Sequence, residues 1–575
     1  MSDTTNHPPH PKKPSATTPT DDTSATPSPL SEDALVPSVD DLPGDDLSLD
    51  APSLDNLSLD DLVEDFDNHQ GLAPMSVSIG RLGGTEQEDL EEDTELSPEE
   101  LKRLQQLKEI SDQLKIIAGI SSALGTRDKP IANFAILIAE LDGLIGDQLD
   151  AILHHTKFQA LESAWRGVYK LIEAAPINAN IKIKCLDASW REVTRDIERA
   201  ADFDQSALFD LFYNREFGIA GGEPMGVVLG DYHICHRPLP DYPYDDVSTL
   251  KGIAQVAAAA FCPFICSVRP EFFGLNNFEE ISNNINFQEA FRQKEYTRWH
   301  SLRELEDSRF IGLCLPQVLL REPYRQDNNR SGHLVYDEIV SGRDNQKLLW
   351  GNAAFALGSV LIREFAETGW FAHIRGVPRD HHGGGLVTQF PALHQTVDHS
   401  PLVPKIITPV LISDMLEREL SEIGLICLCQ CYDTAMVAFR SVPSIQLPKR
   451  FAHKGATANA RLSAMLQQIL CASRFAQYIK VMTRDKVGSY TSAADCRRML
   501  QSWLNEYATG RDDLGWEMLA RYPLREARVE VSEDRRSPGS YQSVIYLKPH
   551  YIVDHLVSEL KLTTTLAQAA VGTGG

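Results

Sequence analysis

The sequence predicts an α/β fold of mixed α+β character, and three observations predict it. Amphipathic helical runs open the ordered part of the chain. Strand-like and helix-like runs then alternate, the order expected of sheets covered by helices. The chain closes on alternating β segments joined by a turn signal, "SPGS".

Length sets the frame for these elements. A chain of 575 residues exceeds one ordinary core and implies several domains. The expected division is an acidic disordered tail over 1–95, a helical region over 96–175, an α/β body over 176–510 and a β-rich region over 511–575.

The tail follows from composition. Residues 1–100 hold 25 Asp and Glu against 3 Lys and Arg, while the rest of the chain holds 56 against 52. Phe66 is the sole aromatic residue of 1–95. Such a segment buries too little apolar surface to offset the entropy of ordering it. Within it, Leu59, Leu62, Val63 and Phe66 fall on one helical face. This pattern reads either as chance periodicity in a solvated tail or as a short helix that folds on docking to a partner. "MSVSIG" at 75–80 alternates like a strand. A near-neutral body with an acidic tail offers no basic face for phosphate, so nucleic acid is not expected as a partner.

The helical region begins at Ser97, which forms a capping box with Glu100. "IANFAILIAELDGLIGDQLDAILHH" and "FQALESAWRGVYKLIEAA" are two further helices. The body starts with "NIKIKCLDA" as a strand. "PMGVVLGDYHI" is the next strand, "TLKGIAQVAAAA" a helix and "RFIGLCLPQVLL" a strand. "QKLLWGNAAFALGSVLIREFAETG" reads as one helix and "LICLCQCYDTAMVAF" as one strand. Helices fill Ala456 to Tyr507. "REARVEVSED", Tyr541 to Lys548 and Val553 to Leu562 are the closing strands. The most apolar run, Gly252 to Val268, is broken by Gln255 and Pro263 and reads as a buried helix feeding a strand rather than a membrane span. The N-terminus has no apolar core, so no secretory signal is expected. The ten cysteines sit mostly in apolar contexts and read as reduced, buried thiols. Together these features predict a soluble cytoplasmic protein without direct membrane insertion.

Each candidate for chemistry is incomplete. His382 with Gly383, Gly384 and Gly385 spells an oxyanion-hole string, but no serine has the G-x-S-x-G setting of a nucleophile elbow. His381, His382, His394 and His399 lack a helical ligand spacing. Cys427, Cys429 and Cys431 would share one strand face, yet nothing nearby completes four ligands. His233 and His236 flank Cys235 with the same shortfall. Gly-Lys never occurs, so no Walker A loop exists. The residues alone describe a structural or interaction protein with no cofactor and no catalytic, cofactor-binding or metal residue.

A resemblance extends that reading. "FQALESAWRGVYKLI" resembles a helix of the large contractile-sheath subunit of the bacterial type VI secretion system, the TssC/VipB family. "EPMGVVLGDYHI", "LKGIAQVAAAAFCPFI", "PEFFGL", "RELEDSRFIGLCLPQVLLREPY" and "LLWGNAAFALGSVL" follow in the family's order. So do "GGGLVTQFPALH", "VLISDMLERELSEIGLICLC", "ANARLSAMLQQILCASRFAQYIKVMTRDKVGS" and "YPLREARVEV". The similarity covers about 130 to 565.

The resemblance implies a sheath-protein body and a non-enzymatic subunit in the bacterial cytoplasm. It implies pairing with a small sheath subunit as a heterodimer. Further partners are other sheath protomers, the inner tube protein, the baseplate and a ClpV-type AAA+ unfoldase. It also implies that the C-terminal strands interlace neighbours, with Tyr541, Val544, Tyr546, Val553, Leu556 and Leu560 in that role. A helix before the body would be the unfoldase's handle. Leu59, Leu62, Val63 and Phe66 and the helix after Ser97 are the two candidates, in a tail longer than the family's. In this reading His381 to Gly385 is a glycine-rich turn. A phage-like tail sheath protein and an enzyme using the His381/His382 loop remain the alternatives.

Overall fold

The computed structural model describes Lys108 and residues 128–566, except 220, 283–284, 326–333, 341–346, 378–382, 394–395, 398–399, 402–406, 432–433, 435, 486–492, 512–513, 534–540 and 551–559. Its strands are β1 (Val228–Ile234), β2 (Phe264–Val268), β3 (Ile311–Leu315), β4 (Val318–Arg321), β5 (Leu349–Gly351), β6 (Leu386–Val387), β7 (Thr396–Val397), β8 (Ser400–Pro401), β9 (Ile426–Gln430), β10 (Val437–Phe439), β11 (Leu524–Glu533), β12 (Tyr541–Pro549) and β13 (Leu560–Leu566). The helices that matter below are α1 (Asp128–Leu153), α2 (Thr156–Ala174), α3 (Trp190–Arg199), α4 (Asp246–Ala260), α5 (Ala353–Thr368), α6 (Asp414–Glu422), α7 (Lys454–Ser463), α8 (Leu466–Asp485) and α9 (Ala493–Asn505).

The central sheet runs in the order β1-β2-β3-β9-β10-β6. The first four strands are parallel, and β10 and β6 close the sheet antiparallel. β2 and β3 are buried at every residue, which requires cover on both faces. The pleat divides their side chains. Phe264, Cys266, Val268, Ile311, Leu313, Leu315, Cys427 and Cys429 join the core under α4. Ile265, Cys314, Ile426 and Leu428 join the opposite core, under α5.

Local signals set the covering helices. Asp245 caps α4 by accepting from the Ser248 amide, and Asn352 caps α5 by accepting from the Ala354 amide. Gly369, at φ 80°, ends α5 in the left-handed conformation. A third core lies under the C-terminal sheet β11-β12-β13. There Val529, Ile545 and Leu547 meet Cys496, Leu500 and Leu504 of α9 and Phe475 of α8. Trp370 stacks on Phe475 with ring centroids 4.0 Å apart and ties this core to the end of α5.

The mixed α/β class agrees with the sequence, and five elements differ. "NIKIKCLDA" forms no strand, because it pairs with none among the described residues. Lys182 and Lys184 instead tether it through Glu223 and Glu216. "RFIGLCLPQVLL" is two strands in different sheets, interrupted at Pro316. "LICLCQCYDTAMVAF" is the hairpin β9–β10. "QKLLWGN" is not helical: β5 occupies Leu349–Gly351 and the helix waits for its Asn352 cap. The last strand is Leu560–Leu566 where Val553 to Leu562 was expected, and 551–559 lie outside the described residues.

Candidate functional site: an exposed helix face and an open sheet edge

Helix α2 has two apolar faces. His155 caps it by accepting from the Lys157 amide, and Arg166 pairs with Glu162 one turn back at 2.7 Å. The inner face carries Gly167, Leu171 and Ala174. A Cβ built on Gly167 would lie 2.3 Å from the Phe355 ring, so only glycine lets α2 approach α5 this closely. The outer face carries Leu161, Trp165, Tyr169 and Ile172, each more than half exposed. Their spacing of four, four and three residues forms one stripe.

Helix α1 adds a second stripe. Phe134, Ile138, Ile145 and Ile152 are exposed and fall within a narrow arc of its surface. Its neighbouring flank is covered by residues 334–340. The Tyr336 hydroxyl donates to Asp150 at 2.5 Å, and the Val335 amide donates to Asp142. This segment brings its own exposed Leu334, Val335 and Ile339 beside the helix.

An ionic hub fixes the layer to the body. Arg321 of β4 donates to both Glu338 oxygens, at 2.5 and 3.1 Å, and to Glu162 of α2 at 2.9 Å. Glu338 also accepts from the Tyr324 amide and contacts His154. Burial is the largest single influence and would raise the Glu338 pKa, but the Arg321 hydrogen bonds, the Tyr324 amide, the Arg321 charge and His154 together outweigh it and hold the carboxyl below its ordinary value. The backing is therefore fixed while the outward stripes stand uncovered among the described residues. Trp and Tyr on such a stripe are the residue types that anchor protein interfaces. Sequence reasoning quoted this helix and missed the face. The signal was present: α2 is apolar on two sides, and one core can bury only one.

The C-terminal sheet offers a different kind of surface. β12 is central, pairing antiparallel with β11 and β13. Tyr541 sits opposite Leu566, Val544 opposite Thr563, Tyr546 opposite Lys561, and Leu560 opposite Leu547. Val544 and Tyr546 alternate with the buried Ser543, Ile545 and Leu547 and so face away from α9. Arg528 lies over the Tyr546 ring on that outward face, 4.5 Å from its centroid. No described strand pairs with the outer edge of β13. An unpaired edge is a template for strand addition.

The other sequence candidates resolve as follows. Leu59, Leu62, Val63, Phe66, Val553 and Leu556 lie outside the described residues, as do His381, His382, His394 and His399. Gly384 and Gly385 form a turn, with Gly384 at φ 60°. A Cβ on Gly385 would meet the Phe439 carbonyl oxygen at 2.1 Å. Arg363 of α5 donates to the Gly384 and Leu386 carbonyls at 2.5 Å each, so the glycines are built into the body by backbone contacts. Cys427 and Cys429 are buried in the α4-side core, and Cys431 is half-buried just beyond the strand. Burial pushes all three thiols up, Cys429 to about 12, and keeps them neutral. The described residues contain no group of three or more His, Cys, Asp or Glu placed to hold a metal. No described helix is long and apolar enough to cross a membrane.

Comparison with known proteins decides what kind of body this is. Residues 135–446 match the family described as EvpB/VC_A0108, tail sheath N-terminal domain. Residues 455–566 match its tail sheath gpW/gp25-like domain. The chain belongs to the TssC/VipB tail-sheath family. A relative from Pseudomonas aeruginosa, the "Type VI secretion system sheath protein TssC1", is 36% identical over 442 residues. The alignment covers 76% of this chain and 87% of that protein. A solved sheath tail protein from Desulfitobacterium hafniense aligns over 52% of this chain and 58% of its own, at 12% identity and a TM-score of 0.23. That likeness is too weak to argue from. The two family matches meet between β10 and α7, so α7, α8, α9 and the three-stranded sheet share one sheath domain.

Proposed function

We propose that this chain is the large structural subunit of a type VI secretion contractile sheath, working in the bacterial cytoplasm without catalysis. The observation that carries the reading is the family match, which spans both sheath domains from 135 to 566. In this role the chain pairs with a small sheath subunit and polymerises around the inner tube. The sheath rests on the baseplate, contracts to drive the tube outward and is then taken apart by a ClpV-type unfoldase. Contraction needs two packings of the same protomers, and interlaced strands keep neighbours joined through the change because main-chain hydrogen bonds tolerate new side-chain contacts.

The two surfaces take separate parts in this scheme. The stripes of α1 and α2 receive an amphipathic helix of the small subunit, with Trp165 and Tyr169 as anchors. The β12–β13 edge, with Tyr541, Val544, Tyr546 and Leu560, receives strands of neighbouring protomers. Val553 and Leu556 belong to the same arm. Leu59, Leu62, Val63 and Phe66 form the unfoldase's handle within the acidic tail of 1–95. The remaining division follows: a helical layer over 96–175, a body over 176–510 and a linking region over 511–575.

Co-purification tests the pairing. An affinity-tagged small subunit retains the wild-type chain, and Trp165→Asp abolishes retention while the far-UV circular dichroism spectrum is unchanged. Equal retention of both proteins contradicts the helix-face assignment. For the handle, a peptide of residues 53–70 binds the unfoldase's N-terminal domain, and a peptide that shows no binding removes it.

A further inference from the structure

A cavity of about 590 Å³ opens where β1 and β3 end, between the central sheet and the buried side of α2. Gln159 and Ser163 of α2, Asp231 and His233 of β1, Asn276, Asn277, Phe278, Glu279, Gln317 and Trp350 give it its character. Carboxyl ends of parallel strands are where open α/β sheets hold ligands. The sheath reading makes no use of this cavity.

Its chemistry is one-sided. The lining is rich in oxygen acceptors and carries two carboxylates and two aromatic rings, and no Lys or Arg is among the described lining residues. Asp231 and His233 lie two apart on β1, and both line the cavity. His233 Nε2 is closed off from water and from the cavity, and it has no hydrogen-bond partner among the described residues. Asp231 is exposed as a residue, yet its carboxyl is crowded. Burial pushes its pKa up to about 6, opposed only by a hydrogen bond from Asn352. Asp231 has no ion-pair partner among the described residues, so a cation entering the cavity meets an uncompensated carboxylate.

We propose that this cavity is a socket for an organic cation, a guanidinium or alkylammonium group held by Asp231 against the Trp350 and Phe278 rings. The carboxylate accepts its N–H groups, and the aromatic faces favour its charge. Inorganic metal is disfavoured, because amide and ring surfaces outnumber charged ligands. The cation comes either from a free polyamine-like molecule or from an Arg or Lys side chain of a neighbouring chain.

Agmatine, a guanidinium on a short alkyl chain, is the probe. Isothermal titration calorimetry on the full chain gives saturable 1:1 binding. Asp231→Asn weakens it at least tenfold. Ser163→Phe, which fills the cavity from α2 and leaves the acceptors in place, weakens it similarly. Both variants are first checked for wild-type melting temperature. Absent binding at millimolar agmatine, or equal binding by wild type and Asp231→Asn, overturns the socket. Repeating the titration on assembled tubes separates the two sources. A site open to agmatine in tubes identifies a free cation, and a site blocked in tubes but open in dispersed subunits identifies a neighbour's side chain. The calorimetry on dispersed subunits stands independently of the sheath reading.

Discussion

The two sheets of this protein solve opposite problems. The central sheet hides itself: β2 and β3 are buried at every position, and α4 and α5 cover opposite faces. The C-terminal sheet hides one face against α9 and shows the other, with Val544 and Tyr546 outward. A parallel sheet between helices is finished within one chain. An antiparallel sheet with an open edge keeps main-chain groups free to pair with another chain. The same contrast recurs in α2, whose Gly167 face is closed on Phe355 and whose Trp165 face stands uncovered among the described residues. Damage inside the body should cost stability, and damage at the outward surfaces should cost assembly.

The largest expected effect lies at the open sheet. Deleting residues 541–575 removes β12 and β13 and abolishes tube formation, read by electron microscopy of co-expressed subunits. Removing only 560–575 takes β13 but spares Ile545 and Leu547, so the chain stays folded and still forms no tubes. Normal tubes from either truncation would break the comparison. In the closed sheet, Leu313→Ala opens a cavity at a fully buried position and costs about 2–5 kcal/mol in urea unfolding. Tubes then form in proportion to the folded fraction.

Glu364 of α5 gives a pH-dependent test of the interior. Burial pushes its pKa up to about 7 from 4.5, although the His373 amide donates to it. The folded state therefore holds this proton more tightly than the unfolded chain does. Its contribution is most favourable below the ordinary carboxylate pKa and is lost as pH rises through about 7. Glu364→Gln should stabilise the protein at pH 8 by up to about 3 kcal/mol and by almost nothing at pH 4. A gain that is equal at both pH values contradicts the assignment.

Two helix substitutions sharpen the contrast further. Gly167→Ala would normally favour a helix by about 1 kcal/mol. Here the added methyl strikes the Phe355 ring, and a net loss of about 1–3 kcal/mol is expected in the unfolding midpoint. Trp165→Ser, on the opposite side of the same helix, should change stability by only about 0.5 kcal/mol or less.

How far the sequence exposed this architecture depended on period and punctuation. The run Gly252–Val268 was legible as helix then strand, because α4 and β2 flank Pro263. The glycine turn at 384–385 was legible as a bend, because glycines permit φ values other residues avoid. Two elements were lost for the same reason. β3 and β4 read as one strand and β9 and β10 as another, since a continuous apolar run does not announce where it changes partner. Asn352 did announce the start of α5, and the apolar "KLLW" before it masked that cap. The outward face of α2 was hidden differently: Trp165 and Leu171 look alike in a sequence, and only the position of Phe355 tells which one is buried. His233 was weighed as a metal ligand beside Cys235, but it shares a cavity with Asp231, two residues before it on the strand.

The central claim is that a closed body carries surfaces finished only by other chains. Negative-stain electron microscopy of the full chain, alone and co-expressed with the small sheath subunit from its own genome, tests it most directly. The account predicts discrete particles alone and hollow, regularly ridged tubes when the small subunit is present. Discrete particles under both conditions, or tubes from this chain alone, would contradict it.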